Sequence, residues 1–257
     1  MKGYHSDIVI EIIGLKGIPD IKAGDDIGKI ICEKADEQIG GLRNGDIVVV
    51  ASKIVAKSEG RIVKLSDVQP SPFAIRVAEL TGKSPELVEL ILRESNKIVR
   101  MRDGHLIVET KHGFICANAG IDRSNVAGGE DVVALLPEDP DQSAKRIRMK
   151  IAELKGIDVA VIISDTFGRA WRRGHVNFAV GISGIKIIKD YRGMKDMYGY
   201  ILSVTQMAVV DELAAAAELA MGKSSGVPIV IIRGYEYPRG EDSIKEIFYP
   251  EEKDLFR

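Results

Sequence analysis

The sequence predicts an α+β fold of mixed α/β character, and three observations carry that prediction. Short β-branched runs are interleaved with helical patterns along the whole chain. Ser–Pro pairs open two of the helical stretches, where a capping side chain and a pre-set φ are favourable. Several of the 26 glycines sit beside Asp, Lys, Ser or Asn at the ends of apolar runs, where tight turns are needed.

In chain order, Ile8 to Ile13 reads as a strand and ends in the loop Gly14-Leu15-Lys16-Gly17-Ile18-Pro19. Asp25 and Asp26 precede a helical pattern reaching about Glu37. Gly45-Asp46 turns into Ile47 to Ala51, a fully apolar strand. Ser52-Lys53 follows, and a second extended run leads to Lys57-Ser58-Glu59-Gly60-Arg61. Pro70-Ser71-Pro72 opens a helix to about Leu80, and Ser84-Pro85 opens another to about Ser95. Ile98 to Arg102, Leu106 to Thr110 and Gly113 to Ala117 read as a three-strand meander. Asp139 to Leu154 has the rhythm of a surface helix, and Val159 to Ile163 is a buried strand. Phe178 to Ile188 reads as a Gly-rich strand or turn at an interface. Leu202 to Met221 reads as one long helix, with Ala214 to Ala217 allowing close packing. Val227 to Ile232 is a last buried strand. One 257-residue unit is expected, with a soft boundary around residues 67–97 where two helices interrupt the strands.

Composition narrows the function. Lys plus Arg number 36 and Asp plus Glu 38, a net charge of −2, which disfavours a general nucleic-acid binder. Aromatic residues are 5% of the chain, too few for base-stacking platforms. Two scattered cysteines, Cys32 and Cys116, read as reduced thiols and exclude a cysteine zinc site. Asp7 and Glu11 interrupt the first apolar stretch, and no uncharged apolar run reaches the ~18 residues of a membrane span. A cytoplasmic protein without membrane or nucleic-acid partners is expected.

Four segments can carry chemistry. In Val161 to Arg169, Asp165 and Thr166 follow a buried strand and offer hard oxygens to magnesium or manganese. Arg169, Arg172 and Arg173 follow within eight residues as phosphate partners. In Asn118 to Asn125, Asp122 and Asn125 offer oxygen ligands from one loop. Lys53 and Lys57 can each meet a phosphate as a point charge. Met221 to Pro228 contains Gly-Lys-Ser, but position 217 is Ala217 where a Walker A loop needs glycine, so a P-loop is rejected. His175 alone among the histidines lies near these segments.

Taken in order, these motifs resemble one family, the coenzyme F420-0:L-glutamate ligases (F420 gamma-glutamyl ligases). The resemblance runs over nearly the whole chain. It rests on Gly17-Ile18-Pro19, Gly24-Asp25-Asp26, Lys57 to Arg61, Asn118 to Asn125 and Asp165-Thr166 with Gly168-Arg169. It continues through Arg172-Arg173-Gly174, Gly181 to Gly184, Lys189-Asp190, Lys195-Asp196 with Tyr198-Gly199, and Val204-Thr205 with Asp211-Glu212. It implies a family-specific mixed-sheet fold, neither Rossmann nor P-loop, in an intertwined homodimer. It implies a GTP-dependent ligase that phosphorylates the terminal carboxylate of coenzyme F420-0 and lets the amine of L-glutamate displace phosphate, later glutamates being gamma-linked. Manganese or magnesium is implied at two positions, with potassium assisting. By matched position, Gly17, Ile18, Pro19, Asp20, Ser52, Lys53, Lys57 and Asn125 contact the nucleotide, as does the loop Met221, Gly222, Lys223, Ser224, Ser225, Gly226 and Val227. Asp122 and Asp165 match the catalytic ligands of the first metal and Thr166 a ligand of the second. The chain departs from the family at Lys223, which stands where an acidic metal ligand is found, and an ammonium cannot ligate a cation. Two further readings are another carboxylated acceptor such as a folate, and a non-catalytic nucleotide- or cofactor-binding homologue.

Overall fold

The computed structural model describes residues 9–124, 126, 129 and 131–255. Strand β1 (Glu11–Leu15) leads to helix α1 (Ile27–Ile39), whose N-cap Asp26 accepts from Lys29 N at 3.0 Å. Strand β2 (Ile47–Ala51) runs directly into helix α2 (Ser52–Ser58), and β3 (Ile62–Lys64) follows. The region after β2 is therefore helical, not extended as its β-branched residues suggest. Burial decides it: Ile54, Val55 and Ala56 all pack inside the molecule. Helices α3 (Pro72–Thr81) and α4 (Pro85–Arg93) start at Ser71 and Ser84, each capping with its side chain as expected.

The meander forms as β4 (Ser95–Arg102), β5 (His105–Thr110) and β6 (Ile115–Ala117), a three-stranded antiparallel sheet. With α3 and α4 it closes over its own apolar cluster, centred on Val77, Val88, Ile91, Leu106 and Val108. Strand β7 (Val132–Ala134) pairs with β3. Helix α5 (Pro140–Lys155) is capped by Asp139 and stopped by the left-handed Gly156.

Strand β8 (Ala160–Arg169) extends well beyond the apolar run the sequence marks, because it forms a long antiparallel hairpin with β9 (Arg172–Ser183). Phe178 to Ser183 is thus the inner half of β9. The short pair β10 (Ile188–Asp190) and β11 (Gln206–Ala208) precedes α6 (Val209–Met221), and β12 (Ile229–Arg233) ends the main sheet. The expected helix from Leu202 is therefore a turn and a strand before it is a helix. Backbone pairing of Gln206–Ala208 with β10 withholds those residues from α6.

The central sheet has the order β1-β12-β2-β8-β9 and is mixed: β2 and β8 are parallel, all other neighbours antiparallel. Ile47 to Val50, Val161 to Ile163 and Ile229 to Ile231 are fully buried. Each such side chain contributes roughly 1.5–3 kcal/mol of burial. Helix α6 packs on this sheet, and the methyl-sized Ala214 and Ala217 are fully buried in the interface. Gly181 allows α5 to approach, because a Cβ there would collide with the Pro140 backbone carbonyl. Among the described residues no helix is long and apolar enough to cross a membrane.

Candidate functional site

The ends of several elements meet around a cavity of about 740 Å³. Ile18, Pro19 and Asp20 border it from the loop after β1, Ser52, Lys53 and Lys57 from α2, and Asp122 and Ser124 from the loop after β6. Asp165 and Thr166 enter from β8, His175 and Asn177 from β9, and Met221, Gly222, Lys223, Ser224, Gly226 and Val227 from the loop closing α6.

The helical form of residues 52–58 matters here. Lys53 and Lys57 lie four residues apart, hence on one face of α2, and both reach the cavity. Lys53 Nζ donates to Asp122 Oδ2 at 2.7 Å and to Ser124 Oγ at 3.0 Å. Lys57 Nζ donates to Asp20 Oδ1 at 2.9 Å, which holds the Asp20 carboxyl below its ordinary range.

Asp122 sits where the chain turns through Asn118, Ala119 and Gly120, all at positive φ (54°, 56° and 70°). This left-handed stretch brings Asp122 back to bridge Ala134 and present its carboxylate to the cavity. Partial burial pushes the Asp122 carboxyl up. Hydrogen bonds from Lys53 and from the Ser124 backbone and hydroxyl outweigh it, so the group lies below the ordinary carboxylate range.

Asp165 behaves oppositely. It accepts from the Thr166 N–H at 2.8 Å, yet the surrounding protein withdraws it from bulk water. That desolvation, with the Asp122 charge as a smaller contribution, pushes it up to about 6. Thr166 donates its hydroxyl to Asn177 Oδ1 at 2.6 Å and accepts from Lys223 Nζ.

These donors suit a divalent cation. Asp122 and Asp165 bring hard carboxylate oxygens from two elements, and Asp165 is an anion poorly compensated by the protein alone. A hard cation beside both carboxylates would relieve that. Among the described residues there is no cluster of three His, Cys, Asp or Glu that could hold a metal, so oxygens from outside the protein would have to complete the shell.

Gly17 and Ser225 do not line the cavity; Ser225 instead donates to the Met221 carbonyl and ties the loop down. Asn125 lies outside the described residues. Arg169, Arg172 and Arg173 stand at the β8–β9 hairpin tip, away from the lining, because the hairpin carries them past it. Asn177 was not legible in the sequence. Only the β8–β9 register, which sets Asn177 opposite Thr166, marks it. Ser124 could have been read from its place two residues after Asp122, the spacing of an Asx turn.

Comparison with known proteins converges on one family. The F420-0:gamma-glutamyl ligase family matches residues 16–234. A coenzyme F420:L-glutamate ligase of Methanothermobacter thermautotrophicus is 49% identical over 251 residues, covering 96% of this chain and 99% of the relative. Proteins of the same name from Methanopyrus kandleri (44% identical, 92% of this chain and 93% of the relative) and Archaeoglobus fulgidus (44%, 96% of each) are similarly close. The chain belongs to the F420-0:gamma-glutamyl ligase family.

Proposed function

We propose that this chain joins the amine of L-glutamate to the terminal carboxylate of coenzyme F420-0, using GTP, and extends the product by gamma linkage to further glutamates. The observation that carries the reading is the convergence of Asp122, Asp165, Lys53, Lys57 and Lys223 on one cavity. Phosphoryl transfer demands little covalent chemistry from a protein; it demands positive charge around the phosphates and alignment of donor and acceptor.

In this reading the acceptor carboxylate attacks the γ-phosphorus of GTP, the bond to the bridging oxygen breaks, and GDP leaves. The glutamate amine then adds to the acyl carbon, loses a proton and expels phosphate. Lys53, Lys57 and Lys223 offset the charge that builds on the phosphate oxygens. Asp122 and Asp165 would hold manganese or magnesium, which supplies further neutralisation of that charge. Potassium is the expected activating ion. A cavity of about 740 Å³ is within the range of small-molecule sites, and its wall includes Lys53, Lys57 and Lys223, which can meet phosphate oxygens as point charges.

The working form in this reading is a cytoplasmic homodimer. The arm between β10 and β11 supports it: Met197, Tyr198 and Val204 are 87%, 87% and 82% exposed, apolar surface of the kind a second copy covers. Light scattering at micromolar concentration is expected to give twice the chain mass; a monomer would remove this part of the reading.

The deciding experiment incubates the protein with coenzyme F420-0, glutamate, GTP and manganese and weighs the products. A coenzyme heavier by one or more glutamyl units, absent without GTP, is expected. Unmodified coenzyme, together with labelled glutamate appearing on a folate acceptor, would replace the proposed acceptor.

A further inference from the structure

Two ammonium groups are seated directly on oxygens at the Asp122–Thr166 end of the cavity. Lys53 is on Asp122, and Lys223 donates to the Thr166 hydroxyl oxygen. Thr166 has its own proton committed to Asn177, a buried amide whose nitrogen faces Ser164 Oγ at 3.4 Å. That commitment turns the two oxygen lone pairs of Thr166 away from Asn177, and Lys223 takes up one of them. Thr166 is a neutral oxygen, so a divalent cation there would meet the repulsion of an ammonium a few ångströms away with no negative charge to offset it; the Asp122 carboxylate carries that charge and about four acceptor sites, and so can serve Lys53 and a cation together.

Lys223 is also held in place from its own side. Its loop turns through Gly222 and Gly226, both in the left-handed region (φ 56° and 68°), and Ser225 ties it to the end of α6. The carboxylates at this end of the cavity are Asp122 and Asp165.

We propose that Lys223 is a built-in second cation: it holds the Thr166 side of the cavity and pairs with the terminal phosphate oxygens of the nucleotide, so that a single divalent cation, held by Asp122 and Asp165, completes the site. This rests on the reading that the cavity takes a nucleoside triphosphate. A tethered ammonium adds its charge with no second metal-binding equilibrium, so the site has one metal occupancy to fill rather than two.

The test is equilibrium dialysis of the full chain against manganese and a saturating non-hydrolysable GTP analogue, counting retained manganese and retained nucleotide per chain. Manganese electron paramagnetic resonance reports the bound fraction independently. Wild type and Lys223→Arg, which keeps the charge, are expected to retain one manganese per chain. Lys223→Glu, which replaces the ammonium with a ligand, is expected to retain two. Two manganese ions on wild type, or one on Lys223→Glu, with nucleotide bound in each case, overturns the proposal and leaves the nucleotide reading standing. Absence of retained nucleotide on wild type overturns the nucleotide reading itself. Lys223 is exposed on its loop, so these substitutions do not disturb the core. Lys223→Met, neutral and of similar length, is expected to retain one manganese and to hold the analogue more weakly than wild type; unchanged affinity for the analogue overturns the pairing with phosphate.

Discussion

Replacing Asp211 with asparagine should make the protein more stable at neutral pH. Asp211 lies in the first turn of α6 and accepts a hydrogen bond from the Ala179 N–H of β9 at 3.0 Å. Burial pushes its carboxyl up to about 6, and that one hydrogen bond only partly offsets it. The unfolded chain titrates near the ordinary value of 3.8. A rise of about two units at about 1.36 kcal/mol each makes the ionised form cost roughly 3 kcal/mol in the fold. For an acid raised in this way, the folded state holds the proton more tightly. Stability is therefore unaffected below about 3.8, falls as the pH rises to about 6, and is flat above that. An asparagine amide would keep an oxygen for the Ala179 N–H and carry no charge. Urea unfolding at about pH 7.5 should place Asp211→Asn roughly 3 kcal/mol above wild type, or ~6–12 °C in melting temperature. At about pH 4.5 the gap should shrink by about 2 kcal/mol. A variant no more stable than wild type at neutral pH, or a gap that does not change with pH, would contradict this account of the buried carboxylate.

The other predictions concern the site and the core. Asp122→Ala and Asp165→Ala should each lower the rate of glutamyl addition by about a thousandfold or more while leaving the circular dichroism spectrum unchanged, since both remove oxygens that face the cavity; near-wild-type turnover in either would displace the metal assignment. Removal of divalent cations with a chelator should abolish turnover, and manganese should restore it. Asp46→Ala should cost about 3–5 kcal/mol, because it strands Arg233, which is 8% exposed and donates to both Asp46 oxygens at 2.9 and 2.7 Å. The double change Asp46→Ala with Arg233→Met should recover much of that loss in the same unfolding assay, and a purely additive loss would argue against a stranded charge. Gly181→Ala should destabilise by about 1–3 kcal/mol or prevent folding, since its Cβ would collide with the Pro140 backbone that starts α5; a wild-type melting temperature would contradict the close approach.

Strands β2, β8 and β12 are legible from their residues alone, because runs of β-branched side chains this apolar fit only the centre of a sheet. The starts of α1, α3, α4 and α5 are equally legible, because a cap is a contact between neighbours three residues apart. Asp122, Asp165, Thr166, Lys53, Lys57 and Lys223 each stand out on a local pattern of strand end, loop or charge. What those patterns could not supply is anything set by distant partners. Residues 52–58 are β-branched enough to read as a strand, yet they coil because Ile54, Val55 and Ala56 are buried together when helical. The expected helix from Leu202 is shortened because β10, far back in the chain, claims Gln206–Ala208. Asp165 lies inside a long hairpin rather than at a strand end, and the same register brings Asn177 to Thr166 and takes the three arginines past the cavity. Lys53 meets Asp122 across 69 residues of chain, and Lys223 meets Thr166 across 57. Local propensity acts over a few residues. A cavity is made where the ends of separate elements meet, and only the packed sheet brings those ends together.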